Sequence, residues 1–207
     1  MTTIHSISLA SQDPAAGELF LKNAFGLGAG VGTHAHDEAS SGFRGFTLSV
    51  LVPGPSDVRA LVERALAAGA SAIKEPVKSL WGFGAVLTAP DGTIWKIASR
   101  KKKDSGAPTG RVEDVVLLLG VADVAATKAF YIEHGIAVAK SYGSKYVEFE
   151  TGASPVKLAL YKRKALAKDA GVDESGTGSH RLVILADADF TDPDGFEWRT
   201  TVLSVPA

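Results

Sequence analysis

The sequence has no cysteine among its 207 residues, and this absence removes several kinds of chemistry at once. Disulfide bonds, thiolate metal centres and a cysteine nucleophile are all excluded. An excess of one charge is also missing, because 22 Lys and Arg residues are matched by 23 Asp and Glu residues, for a net charge of −1. Nucleic-acid-binding proteins usually carry a basic excess on one face. We therefore expect no nucleic-acid partner.

Long apolar segments are missing as well. No apolar run approaches the roughly 20 residues that cross a bilayer, so we expect no membrane partner. The first residues lack a charged segment followed by an apolar one, which predicts that there is no signal peptide and that the protein is cytoplasmic. The sequence also lacks a G-x-S-x-G elbow, a Walker loop and a dinucleotide fingerprint. The hydrophobic content of 45% still allows a sizeable core.

A hairpin pattern at residues 82–98 is the clearest local feature of the sequence. Pro90 suits the second position of a turn because its ring restricts φ. Asp91 and Gly92 then supply an Asx-type side chain and a residue that tolerates positive φ. Apolar residues flank the turn on both sides, which is typical of a hairpin. The same pattern returns at 190–199, so the sequence indicates a repeated unit.

A strand followed by a helix start also occurs twice. Alternating residues predict a strand at 3–10, ahead of a helix with Asp13 as its N-cap. A second predicted strand, at 114–119, precedes a similar helix start at Asp123. These landmarks and the two hairpins recur at nearly the same offset, which indicates an internal duplication. Residues 100–110 are charged and then rich in Gly, Pro and Ser, and we interpret them as a linker.

These features resemble the vicinal oxygen chelate superfamily, which includes glyoxalase I, bleomycin-resistance proteins and extradiol dioxygenases. The resemblance rests on the two strand–helix starts and the two Pro-Asp-Gly hairpins, and it covers most of the chain. It implies an α+β fold of two tandem βαβββ modules, 1–99 and 111–207, the second trimmed and carrying a basic insertion at 162–178. It also implies a ligand cleft, a divalent metal in many members, and often a homodimer. The trimming predicts a cleft that is either more open or closed by the insertion.

The metal-binding positions implied by this resemblance carry unsuitable side chains. Metal-dependent members place His, Gln or Glu on the first strand of a module, where this sequence has Ser6 and Val116. They place Glu four residues after the hairpin glycine, where this sequence has Lys96 and Arg199. Zinc, nickel, manganese and iron need imidazole or carboxylate donors. We therefore expect no metal cofactor.

Histidines keep a metal-dependent alternative open. A slip of one position would bring His5 to the first metal-binding position, and His180 begins a later predicted strand. Either of them, with Glu148, would bind zinc, nickel, manganese or iron in a lyase, isomerase or dioxygenase of the superfamily. The competing interpretation makes His180 a capping or surface residue. His34 and His36 form an i, i+2 pair that would bind a metal on a strand, and the alternative places them in an exposed loop. Whether the protein is an enzyme stays open at this point.

The predicted cleft keeps cations and hydroxyl groups in place of metal ligands. Strand alternation directs Ser6, Ser8, Lys96 and Arg199 into it, and two converging cations favour an anionic or carbonyl-rich ligand. Lys96 would serve as a base or nucleophile if burial lowered its pKa. The alternative is that Lys96 and Arg199 pair with acidic residues or extend their charged ends to solvent. The candidate acidic partners are Glu148, Glu150 and Glu197.

Aromatic residues complete the predicted site. Trp81 and Phe83, at the hairpin entrance, are predicted to stack on a ligand, whereas Trp95 and Trp198 are predicted to lie in the core. Tyrosines at 142, 146 and 161 are predicted to line the second side. The first hypothesis is a metal-free protein of this superfamily that binds a small aromatic or anionic molecule. The predicted ligand-binding residues are Ser6, Ser8, Trp81, Phe83, Lys96, Tyr146, Glu148, His180 and Arg199.

Overall fold

A computed structural model describes residues 2–28, 30–80, 82–104 and 106–200 of the chain. The first half of the chain forms β1 (Ile4–Ser11), α1 (Pro14–Phe25), β2 (Val31–Ala35), β3 (Ser41–Gly42), β4 (Phe46–Leu51), α2 (Pro55–Ala67), β5 (Ser71–Ser79), β6 (Gly82–Thr88) and β7 (Ile94–Ser99). The second half forms β8 (Asp114–Val121), α3 (Val124–Glu133), β9 (Val138–Ser141), β10 (Tyr146–Phe149), β11 (Val156–Lys162), α4 (Arg163–Ala170), β12 (Gly176–Thr177), a 3₁₀ turn (Ser179–Arg181), β13 (Leu182–Ala186), β14 (Phe190–Thr191) and β15 (Glu197–Arg199). No helix in the described ranges is long and apolar enough to cross a membrane.

The two predicted helix starts are confirmed, and local hydrogen bonds explain them. The Asp13 carboxylate accepts from the Ala16 N–H at 2.9 Å, and Pro14 occupies the first turn of α1. The Asp123 carboxylate accepts from two N–H groups at the start of α3 in the same way. Each aspartate satisfies donors that the first helical turn leaves free. Gly26, with φ of 69°, ends α1 in the left-handed region.

Both predicted hairpin turns are confirmed. The Ala89 N–H donates to the Thr93 carbonyl at 2.9 Å, and Gly92 has a φ of 86°. In the second turn the Asp192 N–H donates to the Phe196 carbonyl at 3.0 Å, and Gly195 has a φ of 85°. A residue with a Cβ is disfavoured at these φ values, which is why glycine occupies both positions.

Within the described residues the strands form an eight-stranded sheet, a five-stranded sheet and the short β3–β12 pair. The larger sheet has the order β5-β6-β7-β4-β8-β11-β10-β9. It consists of two βαβββ modules, one running from β4 to β7 and one from β8 to β11, joined by antiparallel pairing of β4 with β8. The predicted α+β fold built from βαβββ modules is confirmed.

The smaller sheet combines strands from both ends of the chain. Its order is β14-β15-β13-β1-β2, so β1 pairs antiparallel with β13 and parallel with β2. Each half of the chain therefore contributes strands to both sheets. Neither of the predicted units 1–99 and 111–207 forms a sheet of its own. The division of the chain into these two units stays a prediction.

The hydrophobic core lies between the two sheets and around α1, α2 and α3. Phe25 of α1 packs on Trp95 of β7, with ring centroids 4.6 Å apart, and Tyr131 of α3 packs on Trp198 of β15 at 5.3 Å. Trp95 and Trp198 are 1% and 0% exposed, as predicted for core residues. Because side chains alternate along a strand, each sheet also presents a second face directed away from this core.

These two outer faces are named here by residues that they carry. The face of the eight-stranded sheet with Ser49, Lys96 and Glu148 is the eight-stranded polar face. The face of the five-stranded sheet with Ser6 and Arg199 is the five-stranded polar face.

Candidate functional site

Helix α4 covers part of the eight-stranded polar face. Its side chains Leu166 and Ala167 are buried against Phe43, with Ile94 and Leu118 of the sheet packed around them. Only about 10 Å³ of space remains beside Lys96. The helix belongs to the predicted insertion at 162–178, so this insertion closes the face at Lys96.

Lys96 pairs with α4 and not with a glutamate. Its Nζ lies 2.6 Å from Asp169 Oδ2, in a half-exposed ion pair. The sequence pointed only to glutamates as partners of Lys96. Asp169 lies 73 positions away in the chain, and no local pattern connects the two residues. Lys96 and Arg199 also lie on different sheets. The prediction that these two cations converge on one cavity is therefore wrong.

Tyr146 and Glu148 occupy the far side of the same face. Burial raises the pKa of Tyr146 to about 12, with a further contribution from the charge of Glu148 and its hydrogen bond to the phenol. A phenol with this pKa stays protonated at neutral pH, so it can donate a hydrogen bond but is a poor base. The Tyr146 and Tyr161 rings are 6.0 Å apart, which agrees with the prediction that both line one side.

The five-stranded polar face brings together Ser6, Ser8 and Arg199, as strand alternation predicts. Arg199 pairs with Glu197 at 2.8 Å, which is the predicted alternative for this cation. Its Nη1 also donates to the carbonyl oxygens of Phe190 and Trp198. The charge of Arg199 is thus compensated within the protein.

His34 belongs to this face, on a strand where the sequence favours an exposed loop over a strand. It lies on β2, and its Nδ1 is 2.8 Å from Ser8 Oγ. Burial lowers the pKa of His34, and the positive charges of His36 and Arg181 lower it further. The signal that sequence reasoning missed is the parallel pairing of β2 with β1, which places His34 beside Ala10.

His5 and His180 do not form one site. His5 Nε2 lies 2.6 Å from Asp187 Oδ1 at the exposed start of β1. His180 lies near the other end of that strand, with its ring 5.4 Å from that of His36. Its buried Nε2 has no hydrogen-bond partner within the described ranges.

Phe83 lies in the core and not at a cleft. Phe83 pairs with Ser99 and Ala85 pairs with Ile97. Because Phe83 and Ala85 are two positions apart on β6, their side chains share one face of the strand. The Arg59 guanidinium of α2 lies 5.4 Å from the ring centroid of Phe83. Strand alternation thus directs Phe83 towards α2. Trp81, the other predicted stacking residue, lies outside the described residues.

A cavity of about 530 Å³ lies on the helix side of the hairpin. Its walls come from the end of β1, from α1, from the 89–91 turn and from the last residue of the 3₁₀ turn before β13. Its lining includes Leu9, Phe20, Leu21, Trp95 and Arg181, and also the acidic residues Asp13 and Asp91. We call this space the ligand cavity. It was missed from the sequence because its walls come from segments far apart in the chain.

The arrangement of strands can be compared with known structures. Glyoxalase I from Zea mays superposes with a TM-score of 0.60 over 96% of this chain and 91% of that chain, at 16% identity. A putative dioxygenase from Bacillus subtilis superposes with a TM-score of 0.56 over 90% of this chain and 71% of that one, at 14% identity. This chain has the glyoxalase fold. The resemblance to the vicinal oxygen chelate superfamily is confirmed at the level of the fold. No protein-family model and no curated protein matches the sequence.

A metal at the usual place in a glyoxalase fold would need donors on the central strands of the large sheet. On the face that carries Lys96, the side chains at the middle of these strands are Ser49, Lys96, Val116 and Ala159, and none is an imidazole or a carboxylate. Across the described parts of the chain, no group of three or more His, Asp or Glu residues could hold a metal ion. The residues of this glyoxalase fold therefore do not fit the metal that the family implies.

Proposed function

We propose that this protein binds a small molecule in the ligand cavity without a metal, and that the ligand has an aromatic or other apolar body. The protein would then sequester or carry its ligand. The observation that carries the proposal is the cavity itself. Its volume of about 530 Å³ falls within the range of roughly 300–1,000 Å³ that is typical of small-molecule sites.

The lining of the cavity supports an apolar ligand. Leu9, Leu21 and Trp95 are each at most 2% exposed, and Phe20 is 7% exposed. Burying apolar ligand surface against such walls contributes about 25 cal/mol per Å² before the cost of association is subtracted. Leu19, which is 58% exposed, also lines the cavity and provides an apolar rim where it meets solvent.

The two polar faces are weaker candidates for a site. On the eight-stranded polar face α4 fills the space beside Lys96, and Asp169 neutralises that cation. On the five-stranded polar face Glu197 neutralises Arg199. The alternative, a metal-dependent lyase, isomerase or dioxygenase, gains no support from donor sets in the described residues.

Titration with the neutral fluorescent probe N-phenylnaphthylamine tests the proposal. We expect saturable binding with enhanced emission, because the probe moves from water into an apolar site. Replacing Ala16 with Phe should abolish this binding, since Ala16 is exposed and lines the cavity. The matched control is Ala15→Phe on the neighbouring position, which is exposed but does not line the cavity. Equal binding by the two variants would contradict the proposal.

A further inference from the structure

Three histidine rings lie in a row beside the ligand cavity. The ring centroids of His34 and His36 are 6.1 Å apart, and those of His36 and His180 are 5.4 Å apart. His34 lies on β2, His36 directly follows that strand, and His180 lies in the 3₁₀ turn before β13. Histidine is the side chain that ordinarily gains a proton between about pH 8 and about pH 5. We call these three residues the histidine row.

The histidine row is attached to the wall of the ligand cavity at three points. The His36 N–H donates to the Ser11 carbonyl at 3.3 Å, and the His36 carbonyl accepts from Arg181 Nη1 at 3.0 Å. Ser11 and Arg181 both line the cavity. Thr33, a third lining residue, directly precedes His34 on β2. A movement of the histidine row therefore changes the cavity wall.

The hydrogen bonds of the row suit neutral rings. The Glu38 N–H donates to His36 Nδ1 at 3.1 Å, and a protonated ring, with a proton on each nitrogen, could not accept this bond. The buried Nε2 of His180 has no hydrogen-bond partner in the described parts of the chain, so a proton there would gain no acceptor. Ser8 of β1 offers His34 only an uncharged hydroxyl, 2.8 Å from Nδ1. Protonation therefore breaks one bond and leaves a buried charge unpaired.

The charges that act on the histidine row also oppose its protonation. Burial lowers the pKa of His34, and the charges of His36 and Arg181 lower it further. Glu197 of β15 raises it, but this carboxylate is already paired with Arg199 at 2.8 Å. Protonation of two rings would place like charges on neighbours beside Arg181, which is unfavourable.

The segment after β2 brings the other charged groups to this region. Asp37 and Glu38 are exposed, so water and salt screen their charges. The charge of Arg181 is one cause, after burial, that lowers the pKa of Arg44, so these two cations act on each other. Acid therefore adds positive charge where two arginines already lie.

We propose that the histidine row makes ligand binding acid-sensitive, so that its protonation opens the cavity wall and releases the ligand. The protonated rings repel one another and Arg181, and the contacts of His36 with Ser11 and Arg181 part. This proposal rests on the proposed function, because it concerns the ligand of the same cavity. The open form takes up protons more readily than the ligand-bound form, so a falling pH favours release.

Titration with N-phenylnaphthylamine at about pH 7.5 and about pH 5 tests the proposal, since the probe itself stays neutral over this range. Binding should be about tenfold weaker or more at the lower pH, because each proton coupled to release changes the dissociation constant about tenfold per pH unit. Equal affinity at the two pH values would overturn the inference. So would loss of the native circular dichroism at the lower pH, because global unfolding would then release the probe. Failure of the probe to bind at the higher pH would contradict the proposed function, and the inference would fall with it.

The triple variant His34→Asn, His36→Asn, His180→Gln should bind the probe equally at both pH values. Each amide keeps a donor and an acceptor near a ring nitrogen but does not titrate, and none of the three positions lines the cavity. His134→Asn is the matched control, because His134 at the end of α3 is also half-buried and does not line the cavity. It should keep the wild-type pH dependence. A pH dependence that survives in the triple variant would overturn the inference.

A measurement on the unaltered protein does not depend on whether the triple variant folds. By reciprocity, a ligand that protonation releases must itself oppose protonation. The titration of the His34 ring, followed by NMR and assigned with His34→Asn, should therefore move to lower pH when the probe saturates the protein. The titration of His134 should stay in place. A His34 titration that the saturating probe leaves unchanged would overturn the inference.

Discussion

Asp169 Oδ2 of α4 lies 2.6 Å from Lys96 Nζ of β7, and this ion pair connects the inserted helix to the sheet that it covers. The pair occupies the position where the superfamily resemblance implies a metal-binding glutamate. Because Lys96 pairs with α4 at this position, the helix covers a face that the resemblance would leave open for a ligand. The chain therefore keeps the glyoxalase fold, while the ligand cavity lies on the other side of the hairpin.

Replacing Lys96 with Met should change stability little and ligand binding not at all. The side chains of Lys96 and Asp169 are 37% and 50% exposed, and half-exposed pairs contribute about 0.2–1 kcal/mol. A double-mutant cycle with Asp169→Asn, followed by urea unfolding, measures this coupling. Probe titration of Lys96→Met should match the wild type. Loss of probe binding in this variant would indicate that the probe binds at the eight-stranded polar face and not in the ligand cavity.

Tyr131→Phe should lower the free energy of unfolding by about 1–3 kcal/mol, because it leaves a buried acceptor unpaired. The Tyr131 hydroxyl donates to Asp192 Oδ2 at 2.7 Å in a fully buried position. Urea unfolding measures the loss. The matched control is Tyr142→Phe, since Tyr142 is 63% exposed and should unfold like the wild type. A loss of the same size in both variants would count against this account.

Stability should fall as the pH drops below the ordinary range of histidine, in part because of His34. Burial lowers the pKa of His34 below its usual value of 6.5, so the unfolded chain takes up the proton first. The stability present above pH 6.5 is then lost as the pH falls through the lowered pKa of the folded state. Urea unfolding between about pH 7 and about pH 5 should show a weaker pH dependence in His34→Gln than in the wild type. An unchanged pH dependence in His34→Gln would contradict this account.

Removal of divalent metals should leave the protein unchanged. The middle of the central strands of the large sheet offers no imidazole or carboxylate, and the described residues contain no suitable cluster of His, Asp and Glu. Dialysis against EDTA should therefore alter neither the thermal unfolding midpoint nor probe binding. Elemental analysis should find no stoichiometric metal. A midpoint that falls with EDTA and returns with zinc, nickel, manganese or iron would contradict this expectation.

Local residue chemistry was enough to predict the boundaries of several elements. Asp13 and Asp123 cap their helices through side-chain hydrogen bonds to residues two or three positions away. Gly92 and Gly195 take the positive φ that their turns require. These features depend on neighbours in the chain, and so the sequence alone determines them.

Tertiary structure decided which faces meet and where a ligand can fit. Alternation correctly directs Ser6, Ser8 and Arg199 to one face, but it does not say that Lys96 belongs to another sheet. The partner of Lys96 lies 73 positions away, and that of Ser8 lies 26 positions away. Such pairs form only when strands from both halves of the chain have paired within the sheets. This strand order depends on burying all apolar faces together, so no local sequence pattern predicts it.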